Sequence, residues 1–87
     1  MLDLSKLVVH VRGPYDVYIG RGSPYGNRFV IGHDGTREEV IGKFEDWLRG
    51  QPQLIERVKR ELRGKILGCH CAPKPCHGDV LARIANS

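Results

Sequence analysis

The chain has little of what marks a membrane or secreted protein. No apolar run approaches the ~18 residues that a membrane-spanning helix needs, and the N-terminal MLDLSKLVVHV lacks the basic-then-apolar order of a secretion signal. Cysteine is scarce and odd in number: three residues, Cys69, Cys71 and Cys76, clustered rather than spread as pairs. That pattern excludes a disulfide-stapled extracellular scaffold and leads to an expected cytoplasmic, reducing location. Internal repeats and low-complexity tracts are also missing. Charge of one sign is not in large excess either, since 14 Lys and Arg face 10 Asp and Glu for a net +4. Such a balance suits phosphate-bearing partners without specifying one.

What is present is ordinary globular composition. Forty per cent of residues are hydrophobic and 28% charged, which leaves no room for a disordered excess. Eighty-seven residues make one small domain, read as a single α/β unit over 1–87. A chain of that size buries roughly 60–65% of its unfolded surface, so its core is thin. Much of the positive charge lies in VKRELRGK, Val58 to Lys65. Its apolar residues fall at helical spacing, so it reads first as the solvated face of a helix and second as a nucleic-acid footprint.

Along the chain, Lys6 to Arg12 is β-branched and apolar, Gly13-Pro14 signals a turn, and Asp16 to Ile19 resumes the strand pattern. GRGSPYGNRFVIGHDG follows as a glycine-rich loop with room for a short edge strand at Phe29 to Ile31. Thr36 and Glu39 have capping-box spacing. They open a helix that places Val40, Ile41, Phe44, Trp47 and Leu48 on one stripe and stops at Gly50, with Trp47 as a core anchor. Gln51-Pro52 restarts a second helix with Leu54, Ile55, Val58 and Leu62 inward, ending near Gly64. Lys65 to Cys71 reads as a strand, Ala72 to Pro75 as a turn, and Cys76 to Ala85 as a last helix burying Val80, Leu81, Ile84 and Ala85. The expected fold is α/β: a short mixed sheet of three to four strands covered by three helices.

The chemistry concentrates in GCHCAPKPCHGD, Gly68 to Asp79. Alternation along a strand puts Cys69 and Cys71 on one face and His70 on the other. Cys76-His77-Gly78-Asp79 begins a helix, where unpaired amides and the dipole favour anions and lower a thiol's pKa. A zinc site would use Cys69, Cys71, Cys76 and His77, or His70 in place of one of them. Two features count against it: a Cys-x-Cys gap is tight, and adjacent Cys76 and His77 are poorly placed to reach one ion. A reactive-thiol reading takes Cys76 or Cys71 as nucleophile and His77 as acid/base, with Asp79 able to orient a histidine. In the structural reading, cysteines on a buried strand act as small hydrophobes, which suits Cys69 best.

IGRGSPYGNRF is the second constellation. Gly20, Gly22 and Gly26 allow close backbone approach, and Arg21, Ser23, Asn27 and Arg28 offer donors for a phosphate or carboxylate. It is neither a Walker loop nor a dinucleotide fingerprint, because no Gly-Lys-Ser/Thr follows and no helix opens directly after it. A long turn needing positive φ angles explains the glycines equally well.

Together the two motifs resemble the bacterial and phage family of unknown function numbered 4326. The matching residues are Tyr18 to Arg21, Gly22-Ser23-Pro24, Gly26-Asn27, Phe44 with Trp47-Leu48, Leu62 to Lys65, Leu67 to Pro73, and Cys76 to Leu81. The chain departs from that pattern at Arg28, where the family tends to carry proline, and at His70, where it tends to carry an aromatic. An aromatic at that place implies packing rather than a ligand role for His70. The resemblance implies a fold and the pairing of the two motifs, but no reaction.

The leading expectation is therefore one pocket between the 20–27 loop and the 69–79 turn, holding an anionic, nucleotide-like small molecule with no cofactor. Arg21 would pair with the anion, Ser23 and Asn27 would donate hydrogen bonds, Gly20, Gly22 and Gly26 would give access, and the helix start at Gly78 and Asp79 would close the site. Thiol catalysis by Cys76, Cys71 and His77 extends that reading. The alternatives are a zinc-stapled nucleic-acid-binding module, and a phage-type protein that docks on a host protein through surfaces in which the cysteines only pack. A homodimer across an open sheet edge is compatible with all three.

Overall fold

The computed structural model describes residues 7–72 and 74–87. The expected strand start at Lys6 and the turn residue Pro73 lie outside them. Three strands form among the described residues: β1 (Val8–His10), β2 (Val17–Tyr18) and β3 (Leu67–Cys69). β3 is central, and Val8 and Val17 both sit level with Leu67 in parallel pairings. The sheet is thus wholly parallel where a mixed one was expected, and each strand is shorter than its β-branched run. Pairing, not propensity, sets strand length here, because β-propensity records fit to neighbours.

A parallel sheet needs a crossover between successive strands. β1 reaches β2, on the far side of β3, through residues 11–16, too few for a helix, so the connection lies directly on the sheet. Gly68 eases this close passage: a Cβ there would stand 2.6 Å from Cγ of Tyr15, whose ring lies against β3. Asp16 pins the end of the crossing, accepting the amide of Ile66 at 2.8 Å and donating its own amide to the Ile66 carbonyl.

The other face of β3 presents Leu67 and Cys69, both buried, to the helices. α1 (Arg37–Arg49) begins at the expected capping box: Thr36 Oγ1 accepts the Glu39 amide, and Glu39 accepts the Thr36 amide. Its stripe buries Val40, Phe44 and Leu48, while Trp47 is half-buried against the Phe44 ring. α2 (Pro52–Glu61) starts with proline at its first turn, where the missing N–H costs nothing. α3 (His77–Ala85) buries nearly its whole length. The core of Ile19, Phe44, Leu48, Val58, Leu62, Leu67, Val80 and Leu81 lies where the three helices meet the sheet.

Two local expectations change. Phe29 to Ile31 forms no strand; only an isolated bridge joins Ile31 to Gly35. The last helix starts at His77, with Cys76 outside it as the N-cap in extended conformation (φ −151°, ψ 175°).

Candidate functional site

β2 and β3 run in the same direction, so their C-terminal ends, the loop after Tyr18 and the start of α3 converge at one end of the sheet. That is where open α/β sheets carry ligand sites. Cys69 is the last residue of β3, Cys76 the N-cap of α3 and His77 its first residue. The ligand atoms of these three buried side chains all lie within 4.8 Å of one another. The objection that neighbouring Cys76 and His77 are poorly placed to share a partner does not hold. The backbone passes from extended at Cys76 to helical at His77, and that bend turns consecutive side chains to the same side.

Each member is held by the backbone. His77 Nε2 donates to the Ile19 carbonyl at 2.7 Å, a bond that fixes the tautomer because a carbonyl only accepts. Phe44 meets the imidazole edge-on at 5.1 Å between ring centres. Cys76 Sγ accepts the Gly78 amide at 3.3 Å, and Cys69 Sγ accepts the Cys71 amide at 3.5 Å. The neighbouring Cys76 side chain, then the Cys71 amide, the nearby imidazole and the Cys71 side chain pull the Cys69 thiol down to about 5, against the burial that opposes ionisation. Cys76 is pushed up by the neighbouring Cys69 thiol and by burial. The two thiols are thus shifted in opposite directions.

The cluster forms one end of a cavity of about 520 Å³ that extends to the glycine-rich loop. Arg21 from that loop and Arg37 from the first turn of α1 supply positive charge, and no acidic residue lines the cavity among the described residues. Phe29, Val30, Ile31, Val40 and Ile41 make a largely apolar wall. Arg37 also ties the site together, donating from Nη1 to the Pro75 carbonyl at 3.0 Å. Tyr18 closes the near side, its hydroxyl donating to the Arg21 carbonyl at 3.0 Å.

Several residues named from the sequence have other work. Asn27 lines the cavity, and its side-chain amide is also engaged within the protein: Nδ2 donates to the Val40 carbonyl and Oδ1 accepts the Phe29 amide. Ser23 Oγ donates to the Gly20 carbonyl at 2.7 Å and accepts the Tyr25 amide, so it shapes the loop. The loop is not a free cradle of amides, since the Ser23 and Gly26 amides bond within it. Gly26 and Gly20 are there for close approach, the first to the Gly20 carbonyl and the second to the Tyr18 ring. Gly22, Ser23 and Gly26 line a shallower hollow beside the main cavity, with Arg28, whose guanidinium also stands over the Trp47 ring.

At the helix start, Asp79 orients no histidine; its carboxylate accepts the Cys76 amide at 3.1 Å as the second half of a capping box. Gly78 is buried against Ile19 and Val8 and does not line the cavity. The Gly78 amide is already capped by Cys76, so it does not face an external anion. Cys71 is half-buried and lines the cavity, yet it stands outside the three-residue cluster. His70 is exposed and packs edge-on near His10 and Tyr18, at 6.2 and 6.0 Å. Sequence reasoning missed Arg37 and the Ile19 carbonyl and read Phe44 only as part of the helix stripe; only the position of Arg37 directly after the N-cap hinted at a helix-start cation.

The sequence profile of a family described as a domain of unknown function (DUF4326) matches residues 5–87. The chain belongs to this family. A relative in Enterobacteria phage T4, an uncharacterised 12.4 kDa protein of the nrdA–td intergenic region, is 40% identical over 87 residues, covering 95% of this chain and 79% of its own length. No solved structure matches the chain. Among the described residues, no helix of this family member is long and apolar enough to cross a membrane.

Proposed function

We propose that this domain binds a small anionic, nucleotide-like molecule in the cavity between the glycine-rich loop and the cysteine turn. The observation that carries the reading is the composition of that one cavity. Two arginines, no carboxylate and a broad apolar wall share a space of about 520 Å³. Ligand pockets of ~300–1,000 Å³ with apolar walls and a few convergent polar groups suit compounds of this size. The wall would take a planar ring system, and the arginines would meet the phosphate.

The charge distribution favours a pocket ligand over a nucleic-acid surface. In the basic stretch, Arg60 pairs with Glu61, which also pairs with Arg57 just before it, and Arg63 donates to the carbonyls of Ala85 and Ser87 at the end of α3. Those cations close the protein's own helices.

The test is calorimetric titration with nucleoside mono- and diphosphates beside the parent nucleosides. A phosphate ester should bind, and the nucleoside should bind far more weakly. Arg21→Ala or Arg37→Ala should each cost about 10- to 100-fold in affinity, the scale of one charge-assisted hydrogen bond at ~1.5–3 kcal/mol. Equal binding of nucleoside and nucleotide, or indifference to both arginine changes, would overturn the reading.

A further inference from the structure

The cluster at the end of the cavity has a chemistry that the anion reading does not use. Two thiols and an imidazole converge from β3 and the start of α3 with their ligand atoms within 4.8 Å. Bonds of ~2.3 Å to sulfur in a tetrahedron put two sulfurs about 3.8 Å apart, so sulfurs no more than 4.8 Å apart close on one ion with an approach of about 1 Å at most. The donor set selects among metals. Two sulfurs and a nitrogen suit zinc and its neighbours, whereas magnesium and calcium require oxygen, and no carboxylate lines the cavity among the described residues.

The supporting hydrogen bonds match those of a metal centre. A ligating histidine ordinarily donates its second ring nitrogen to a carbonyl or carboxylate, which fixes the ring and strengthens the ligand. His77 does this through Nε2 to the Ile19 carbonyl, which leaves Nδ1 with the free lone pair. Each sulfur accepts a backbone amide, from Cys71 and Gly78 respectively. Charge balances as well: two thiolates and a neutral imidazole around a divalent ion sum to zero, the arrangement a buried site tolerates best. Cys71 lies outside the three-residue cluster, although its side chain neighbours Cys69 and it lines the cavity with His70; the cluster itself supplies three ligands and borders the cavity.

We propose that Cys69, Cys76 and His77 bind one zinc-class divalent ion whose fourth coordination position opens into the cavity, where it takes water or an oxygen of the bound anion. Open positions of this kind belong to catalytic rather than structural zinc sites. As ligands, these sulfurs and this imidazole are not a free nucleophile and its base. The proposal does not depend on the anion reading, because metal content is measured without any organic ligand.

The experiment uses the full chain, expressed without added metal and purified without chelator. Elemental analysis should find about one equivalent of zinc, as expected for a site with these donors. Exchange to cobalt should give sulfur-to-metal charge transfer and the intense visible bands of a tetrahedral ion. X-ray absorption of the zinc form should show two sulfur and two nitrogen or oxygen neighbours. Cys71→Ser should keep the metal, whereas Cys76→Ser should weaken cobalt binding by more than the ~10–100-fold that supporting hydrogen bonds contribute. Wild-type protein with no stoichiometric metal and no cobalt spectrum would overturn the site. Three sulfur neighbours, or loss of the metal in Cys71→Ser, would overturn the open position. Neither result would touch the nucleotide titration.

Discussion

Gly78→Ala should destabilise the domain, and Gly42→Ala should stabilise it, although both replace glycine by the best helix former inside a helix. At Gly42, on the exposed side of α1, an added Cβ meets nothing within 4 Å. Only propensity acts there, and it favours alanine by ~0.5–1 kcal/mol. At Gly78 the Cβ would fall 2.7 Å from Ile19 Cδ1, 2.9 Å from Val8 Cγ1 and 3.2 Å from Cys76 Sγ. Ile19 is fully buried, so its methyl has no space to retreat into. Overpacking of that kind costs ~1–3 kcal/mol, while the propensity gain in the first turn of a helix is smaller than in its middle. The net loss should be about 1–2 kcal/mol. For a domain of this size, ~1 kcal/mol moves Tm by roughly 4–8 °C. Thermal and urea unfolding of the two variants beside wild type would show the opposite signs. A Gly78→Ala protein as stable as wild type would refute the packing that seats α3 against the sheet, and with it the placement of Cys76 and His77.

Three further outcomes follow from the same contacts. Gly68→Ala should cost less than Gly78→Ala, at most about 1 kcal/mol, because the clashing Tyr15 ring is 41% exposed and can swing outward; a larger loss in urea melts would mean the crossover is more rigid than described. Phe44→Leu should lower stability by ~0.5–1.5 kcal/mol, the scale of an aromatic edge contact, and broaden the His77 ring resonances, since Phe44 stands against that imidazole; sharp, unshifted signals would contradict this. In metal-free protein the Cys69 thiol is depressed from 9.0 to about 5, chiefly by the neighbouring Cys76 thiol. A depressed group contributes stability that is complete above its unfolded value and is lost as pH falls through the folded one. The stability gap between wild type and Cys69→Ser should therefore widen from pH 5 toward pH 8, and a gap that stays flat across that window would refute the depressed thiol.

Local chemistry was readable from the sequence and long-range placement was not. Thr36 with Glu39, and proline at position 52, announce their helices because a cap involves neighbours only. The strands at Lys6 to Arg12 and Lys65 to Cys71 were expected too long, because their ends depend on a partner more than fifty residues away. The sheet's parallel order follows from a crossover over Gly68 that no local pattern encodes. In the glycine-rich loop, Asn27 and Ser23 bond to amides two residues ahead, a habit of asparagine and serine in turns that competes with any ligand role. Arg21 lines the same cavity as the cysteine turn, while the reach of Arg37 to Pro75 required the folded chain.

Cys76 joins fold and site, since it caps α3 and belongs to the cluster. The two roles separate by substitution, because serine is among the preferred N-caps and sulfur is not needed for that duty. Cys76→Ser should keep the Gly78 amide satisfied, leave far-UV helicity intact and hold stability near that of wild-type metal-free protein. Cys76→Ala removes the acceptor and should cost ~0.5–2 kcal/mol, the usual loss for an uncapped helix. Metal binding, in contrast, should be weakened alike in both variants, because each lacks the sulfur. If the serine variant proved as unstable as the alanine variant, the sulfur would be contributing core packing beyond its cap, and the start of α3 would owe its position to the cluster rather than the reverse.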